Sequence, residues 1–491
     1  MTGYVRRRIM GVLDNIEPKE VFKHFEALSM VPRRTYKDEK ISEFCVEFAK
    51  SHGLEYVQDE IGDVIIYKPG TPGYEDSEPV ILQGHMDMVA AKADDSDHDF
   101  DTDPLDLFVD GNYVGARGTT LGADDGFALA FAMAVLESTD IPHPPIEAVF
   151  TVDEEIGMDG AANVDVSLLK GRKYFNLDGE DEGVLTCGCA GAAICDAVIP
   201  VLRGSFSGVC VKIRIRGYRG GHSGFEINKQ RGNAHKDMGR MLYALGKKFD
   251  FRVLSVNGGS GANVIAKSCT AEVIVSGGKA EKFAEDAKML SEIILSEYSG
   301  QEPDAEITVS VEGEGSFSAM EKESGMNVVR FLYEAPDGLL TMEREVEGAI
   351  ETSLNTGIVK TDTDEVKVRF QCRSSVASKI EDMKNRLEMW SSMLGGYLDV
   401  ISEYPAWPYN PVSGLRPIMV DVYKKMYGKE PVVVVTHAGL ECGIMMGKKP
   451  DLDIVSFGPN LLNVHTPDER IDIESTQRTW EYFKAVLAAC K

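Results

Sequence analysis

The chain is 491 residues long and carries 52 Lys and Arg against 79 Asp and Glu, a formal net charge of −27. So acidic a balance excludes partners bound through phosphates, because nucleic-acid binding needs clustered basic residues, and it disfavours an anionic membrane surface. An apolar share of 43% excludes wholesale disorder, and at about 150 residues per domain the length implies two or three domains.

The N-terminus, MTGYVRRRIMGVLDNIEPKE, is basic, with a broken apolar stretch too short for a signal peptide. No run of 18 apolar residues follows anywhere. Residues 17–52 read as helical, with Val21, Phe22, Phe25 and Leu28 at helical spacing and Phe44 and Phe48 repeating the pattern. Short apolar runs at 64–67, 80–83, 148–152 and 174–177 then alternate with helical segments, among them 127–136. This alternation predicts an α/β fold whose central mixed sheet is flanked by helices. The acidic stretch 94–106, DDSDHDFDTDPLD, lacks the turn glycine and closing Glu of an EF-hand and reads as a solvated loop.

The middle third changes character. Strands at 209–216, 251–256, 268–276 and 305–312, with helices at 232–247 and 280–298, form a βαββαβ series of ferredoxin-like type. An αββαβ series follows: helix 325–334, strands 350–359 and 365–372, helix 376–394 and strand 397–402. The two share a faint signature, NVIAK at 263–267 against NTGIVK at 355–360, which points to an internal duplication. Pro405, Pro408 and Pro411 punctuate a return to α/β sequence, with strands at 432–435 and 453–456. We therefore expect a discontinuous catalytic domain, 1–206 with 398–491, and an inserted α+β domain of duplicated ferredoxin-like halves at 207–397.

Nine cysteines, an odd number, do not form a disulfide framework. Cys187 and Cys189 are the only close pair, with no second pair to complete a metal site. This usage suits a reduced, cytoplasmic protein.

HExxH, GxSxG, Walker and GxGxxG signatures are all absent. Acidic residues and histidines instead recur after apolar strands: His85 and Asp87 in VILQGHMDMV, Glu154 and Glu155 in AVFTVDEEIG, Asp178 in KYFNLDGE, and His465 in DIVSFGPNLLNVHTPDE. Asp124 and Asp125 stand where a helix begins, in TTLGADDGFALAFAMA. Open α/β sheets bind ligands at the carboxyl ends of their strands, so one site could gather all of these. Two imidazoles and three carboxylates suit zinc, manganese or cobalt, and one carboxylate can bridge two such ions. A carboxylate two residues from a ligating His can hold its tautomer. Of adjacent glutamates, one can bind metal while its neighbour takes a proton from water. Taken singly, Asp87, Asp125 or Glu154 reads as a cap or surface charge, and His98 and His143 read as surface residues.

At these residues the chain resembles the co-catalytic zinc exopeptidases, the family of carnosinases, aminoacylases and glutamate carboxypeptidases. Within it the sequence is most similar to the bacterial aminoacyl-histidine (Xaa-His) dipeptidases. The matching stretches are ILQGHMDMV, HDFDTDP, GTTLGADDG, FTVDEEIGMDGA, FNLDGEDEG, GGHSG, SLNTGIV, HAGLECG and GPNLLNVHTPDE, spread over almost the whole chain.

The resemblance implies two divalent metal ions, zinc before manganese or cobalt. One would be held by His85, Asp124 and Asp178, the other by Asp124, Glu155 and His465, with Asp124 as the bridge. Asp87 would orient His85, Glu154 would be the general base, and the peptide after Asp124 would be cis. The inserted domain would act as a lid that closes over the substrate. It would bring His222 as oxyanion stabiliser, Asn263 as a substrate contact and Arg373 as the clamp for a free carboxylate, with backbone contact from Gly439. Two departures are Ala266 and Lys267, where relatives carry Pro and Arg, and Asp125, where close relatives often carry Asn. The implied substrate is a small dipeptide with a free C-terminal carboxylate. Nucleic acid and membrane partners are not expected, and a homodimer is allowed but not required. The alternatives are an N-acyl amino-acid amidohydrolase with the same metals and a non-catalytic metal- or peptide-binding protein.

Overall fold

A computed structural model describes residues 11–298 and 300–491, so the basic run ahead of residue 11 lies outside the described residues. The chain divides into two compact units. One takes the chain up to Gly188 with Tyr409–Val435 and Ile444–Lys491; the other takes Cys189–Pro408 with Thr436–Gly443.

The first unit is built on an eight-stranded mixed sheet. At its centre Ile146–Thr151, Val80–His85, Lys173–Asn176 and Asp453–Ser456 lie side by side and parallel. Val64–Lys68 and Glu55–Gln58 extend one edge antiparallel. Every residue of Val80–His85 and of Ile146–Thr151 is buried, as expected of parallel strands covered on both faces. Val80–His85 has later strands of the chain on both sides, which makes the carboxyl end of that strand the place where a crevice opens.

The helix Ala123–Glu137 packs against Val80–His85. It is apolar on all sides and buried from Ala123 to Leu136, which suits a helix enclosed rather than laid on a surface. Phe127 stacks on Phe25 of the helix Lys19–Ser29, and Phe131 meets Trp480 and Phe483 of the helix Ile473–Ala489. Gly84 permits the close approach of strand and helix, since a Cβ there would collide with Ala128 and with Asp125 Oδ2.

The expected helical stretch 17–52 is two helices, Lys19–Ser29 and Glu39–Ser51. Pro32 lies between them, and the intervening Arg33 is buried, its guanidinium bonded to carbonyls elsewhere in the unit. His143, expected on the surface, is fully buried. Its Nδ1 lies 2.6 Å from Pro144 O, and its backbone N–H donates to Thr71.

The second unit carries a nine-stranded sheet. Glu306–Met320, Arg203–Arg216, Cys269–Val275 and Phe251–Gly258 follow one another in it, the order of a ferredoxin-like βαββαβ half. Ile350–Thr361, Glu365–Ser374, Gly191–Pro200 and Tyr397–Tyr404 follow in the same relation. The first strand of this second half is Gly191–Pro200, which precedes the other half in the chain. That is why the sequence reads only as αββαβ there. It also carries the unit past the expected limits of 207 and 397, because Gly191–Pro200 and Tyr397–Tyr404 pair with each other and belong to its sheet. The halves join where Gly258 pairs with Val359.

Candidate functional site

The carboxyl ends of the four central parallel strands deliver His85, Glu154 and Glu155, Asp178 and His465 to one end of the first unit's sheet. Asp124 arrives from the opening turn of the buried helix Ala123–Glu137. Its two carboxylate oxygens face different imidazoles: Oδ1 lies 3.0 Å from His85 Nε2, and Oδ2 lies 3.0 Å from His465 Nε2. Glu155 Oε2 is 3.0 Å from the same His465 nitrogen, and Asp178 Oδ1 is 4.0 Å from His85 Nε2. The five expected ligand residues are thus gathered around one bridging carboxylate. Asp125, to which no ligand role was given, is there too. Its carboxylate lies with the ligand atoms of His85 and Asp178 within 4.8 Å of one another, and its Oδ2 accepts the His85 amide.

Three positions have special backbone. The Asp124–Asp125 peptide is cis, and Asp153 and His465 are left-handed, with φ of 54° and 64°. Positive φ in non-glycine residues concentrates at functional sites. At Asp153 it turns the chain out of Ile146–Thr151 so that Glu154 and Glu155 follow in a short helix, Glu154–Gly157.

Asp87 is fully buried beneath this cluster. Its Oδ1 is 3.3 Å from His85 Nδ1 and accepts the Glu154 amide at 2.9 Å. Its Oδ2 accepts the Thr35 hydroxyl at 2.9 Å and the Glu155 amide at 3.3 Å. One carboxylate therefore orients a histidine and seats the Glu-Glu turn.

The electrostatics favour added cations. Burial opposes ionisation of Asp124, but hydrogen bonds from His465 and His85 outweigh it and hold its carboxyl far below the usual range. Burial also opposes protonation of His85, yet hydrogen bonds to Asp124 and Asp87 raise it well above the ordinary imidazole value. Hydrogen bonds to Asp124 and Glu155 raise His465 to about 11. Burial and the charges of Asp125 and Asp124 push Asp178 well up. Glu155 Oε1 is buried with no hydrogen-bond partner. Carboxylates crowded so that they repel one another, with an unused buried oxygen among them, fit divalent cations.

The second unit holds the other expected residues. His222 Nδ1 accepts the Gly224 amide at 3.2 Å. Burial and the charge of Arg373 lower the pKa of the ring. A neutral imidazole accepting at Nδ1 carries its proton on Nε2, ready to donate. The Asn263 loop is tied to it: the Ser223 amide donates to Asn263 O and the Ile265 amide to Gly221 O. Asn355 Nδ2 braces the loop from below through Ala262 O and Val264 O, at 2.7 and 3.0 Å. Asn263 itself is exposed, as is Lys267, while Ala266 is buried. Arg373 is buried, with Nη1 donating to the Tyr404 hydroxyl and to His437 O and with Nε unpaired. A Cβ on Gly439 would collide with the Tyr404 ring and hydroxyl, so glycine keeps the backbone there clear.

Sequence reasoning missed Arg33 and Glu469. Arg33 Nη1 donates to Met86 O and Asp87 O, and Nη2 donates to Gly122 O. The Glu469 carboxylate receives the backbone amides of Leu121, Gly122, Ala123 and Asp124. Glu469 lay within the HTPDE stretch already singled out; Arg33, in VPRRTY, carries no signal that separates it from a surface arginine.

The sequence pattern of Peptidase family M20/M25/M40 matches residues 81–489. The chain is 32% identical over 480 residues to the cytosol non-specific dipeptidase of Escherichia coli K12, covering 97% of this chain and 99% of that protein. The crystal structure of aminoacylhistidine dipeptidase from Vibrio alginolyticus superposes with a TM-score of 0.91 at 34% identity, covering 97% and 98% of the two chains. An aminopeptidase from Bacillus cereus shares the fold at 16% identity, with a TM-score of 0.56.

Proposed function

Because the chain belongs to peptidase family M20/M25/M40, we propose that it is a dinuclear metallo-dipeptidase of the Xaa-His type. It hydrolyses dipeptides that have a free C-terminal carboxylate. The observation that carries this reading is the Asp124 carboxylate placed between His85 and His465, with Glu155, Asp178 and the Asp87-seated Glu154 around it.

His85, Asp124 and Asp178 would hold one ion and Asp124, Glu155 and His465 the other. Two divalent ions there, zinc in our reading, supply the Lewis acidity that lowers the pKa of water and polarises a carbonyl. Glu154 takes the proton from the attacking water and later passes it to the leaving amine nitrogen. Asp87 keeps Glu154 in place through its amide and fixes the His85 ring through Nδ1. His222 donates from Nε2 to the carbonyl oxygen as it becomes an oxyanion. Arg373 binds the substrate carboxylate with its planar fork, and Asn263 and the Gly439 backbone position the rest of the dipeptide. A carboxylate fixed in this way selects against longer peptides, whose carboxylate lies too far from the scissile bond.

The E. coli relative is named a cytosol enzyme, and all nine cysteines here are free and buried. Among the described residues no helix is long and apolar enough to cross a membrane. These observations support a cytoplasmic setting.

The test is a dipeptide panel including β-Ala-His and Gly-His, with zinc, manganese or cobalt added to chelator-stripped protein. Metal-dependent cleavage confined to unblocked dipeptides is the expected outcome. Turnover of N-acyl amino acids in their place overturns the substrate class; no turnover with any metal overturns the enzyme.

A further inference from the structure

Resting on the dinuclear reading above, we propose that Glu469 is a positioning residue for the bridging carboxylate: it clamps the backbone of the Asp124 loop to the loop that carries His465. The residue is 2% exposed. Oε2 accepts the amides of Leu121 and Gly122 at 2.7 and 3.0 Å, and Oε1 those of Ala123 and Asp124 at 2.8 and 3.3 Å. These amides lie ahead of the regular turns of the helix Ala123–Glu137: Asp124 and Asp125 depart from helical φ/ψ, and the preceding Gly122 offers no side-chain cap. Buried amides with no partner in a helix or strand need an acceptor from elsewhere, and a carboxylate with two oxygens can take all four.

The acceptor comes from far along the chain but from next to the site. Glu469 stands four residues after His465 in HTPDE. One short segment therefore supplies a ligand side chain and the anchor for the backbone of another ligand. Gly122 is left-handed, with φ of 65°, and a Cβ there would collide with Arg33 and Met88. On the carbonyl side of the loop, Arg33 donates to Gly122 O and, with its other nitrogen, to the carbonyls of Met86 and Asp87. The Asp124 loop is gripped through its N–H groups by an anion and through its C=O by a cation. The cation also holds the backbone beside His85, so the three ligand loops are joined by two buried side chains. Outer partners of this kind set metal affinity by fixing where the ligands stand.

The test uses the full-length, chelator-stripped chain titrated with cobalt(II), following the visible absorption of the bound ion against a competing chelator. The variants are Glu469→Gln and Glu469→Asp, and circular dichroism of the stripped proteins establishes that each is folded. Glutamine turns an amino group toward amide donors, and its cobalt affinity is expected to fall ~10–100-fold with an altered absorption band. Aspartate keeps the charge and is expected to recover part of the loss, which carries the test if the glutamine variant does not fold. A folded Glu469→Gln chain with wild-type affinity and spectrum overturns the proposal, as do glutamine and aspartate variants that fail alike. A wild-type chain that binds no cobalt overturns the dinuclear reading itself, a result distinct from either.

Discussion

Asp87→Asn is the sharpest probe of how the site is held. The wild-type carboxylate is fully buried and faces four donors: the amides of Glu154 and Glu155, the Thr35 hydroxyl and His85 Nδ1. Asparagine keeps the shape but offers one oxygen, and in either orientation its amino group faces two of those donors. At about 1–3 kcal/mol for each buried donor left unpaired, the variant loses about 2–6 kcal/mol of stability. The His85 ring also loses the anion that orients it, and ~10–100-fold weaker metal binding is expected. Denaturant unfolding of the stripped protein measures the first effect, and chelator competition measures the second. A variant that unfolds with the wild type and takes up metal with unchanged affinity would refute the idea that Asp87 organises both His85 and the Glu-Glu turn.

Glu154→Ala is expected to lower kcat by about 10²–10⁴-fold, the worth of a positioned general base, while metal content measured on the purified variant stays at the wild-type level. Arg373→Lys removes the fork but keeps a charge. Losing a charged hydrogen bond costs about 1.5–3 kcal/mol, so kcat/KM for free dipeptides should fall about 10- to 150-fold while their C-terminal amides are cleaved no worse than before. His235, which burial lowers to about 4, makes the second unit acid-labile. An unfolded imidazole titrates near 6.5, so below that pH the unfolded chain binds the extra proton and stability falls with pH until about 4. At about 1.4 kcal/mol per pH unit the loss between pH 6.5 and pH 4.5 is about 2–3 kcal/mol. His235→Gln should remove that much of the difference between unfolding at pH 7 and at pH 4.5, and an unchanged difference would exclude His235 as its source.

Most of the residues gathered around Asp124 were legible because they sit in a local pattern, an apolar strand followed closely by a histidine or carboxylate, with His465 coming after a longer loop. A parallel strand buried on both faces announces itself as a continuous apolar run, and its end is where a ligand residue stands. What joins the loops was not legible. Arg33 and Glu469 act on backbone groups, and backbone groups leave no mark in a sequence. The second unit posed the same problem at larger scale. Most of its helices and strands read from the sequence, but the strands Gly191–Pro200 and Gly338–Met342 did not, and Gly191–Pro200 pairs with Glu365–Ser374 across more than a whole ferredoxin-like half. Nothing local in GAAICDAVIP says that its partners lie so far downstream. The helix boundary near residue 30 was blurred for a related reason, since Arg33 and Thr35 leave the helical pattern to reach Asp87 and the carbonyls beside it.

The balance of charge explains why such a frame is needed. Asp87, Asp124, Asp125, Glu155, Asp178 and Glu469 lie close together, and Arg33 is a fully buried cation among them. Burial works against the Arg33 charge, and Glu469, Asp87, Asp125 and Asp124 work to keep it. A buried ion pair is stabilising only where geometry and hydrogen bonding are complete. Here the two Nη groups of Arg33 donate to carbonyls while its Nε is left without a partner, and Glu469 accepts four amides, so each charge is solvated largely by the backbone of the loops that carry ligands. Three of these carboxylates, Asp124, Glu155 and Asp178, stand beside the imidazoles of His85 and His465. Removing the frame would leave them free to relax apart, which lowers their mutual repulsion and with it the affinity for any cation placed between them. In the dinuclear reading, Arg33 and Glu469 are what keep these carboxylates close enough together to share divalent ions.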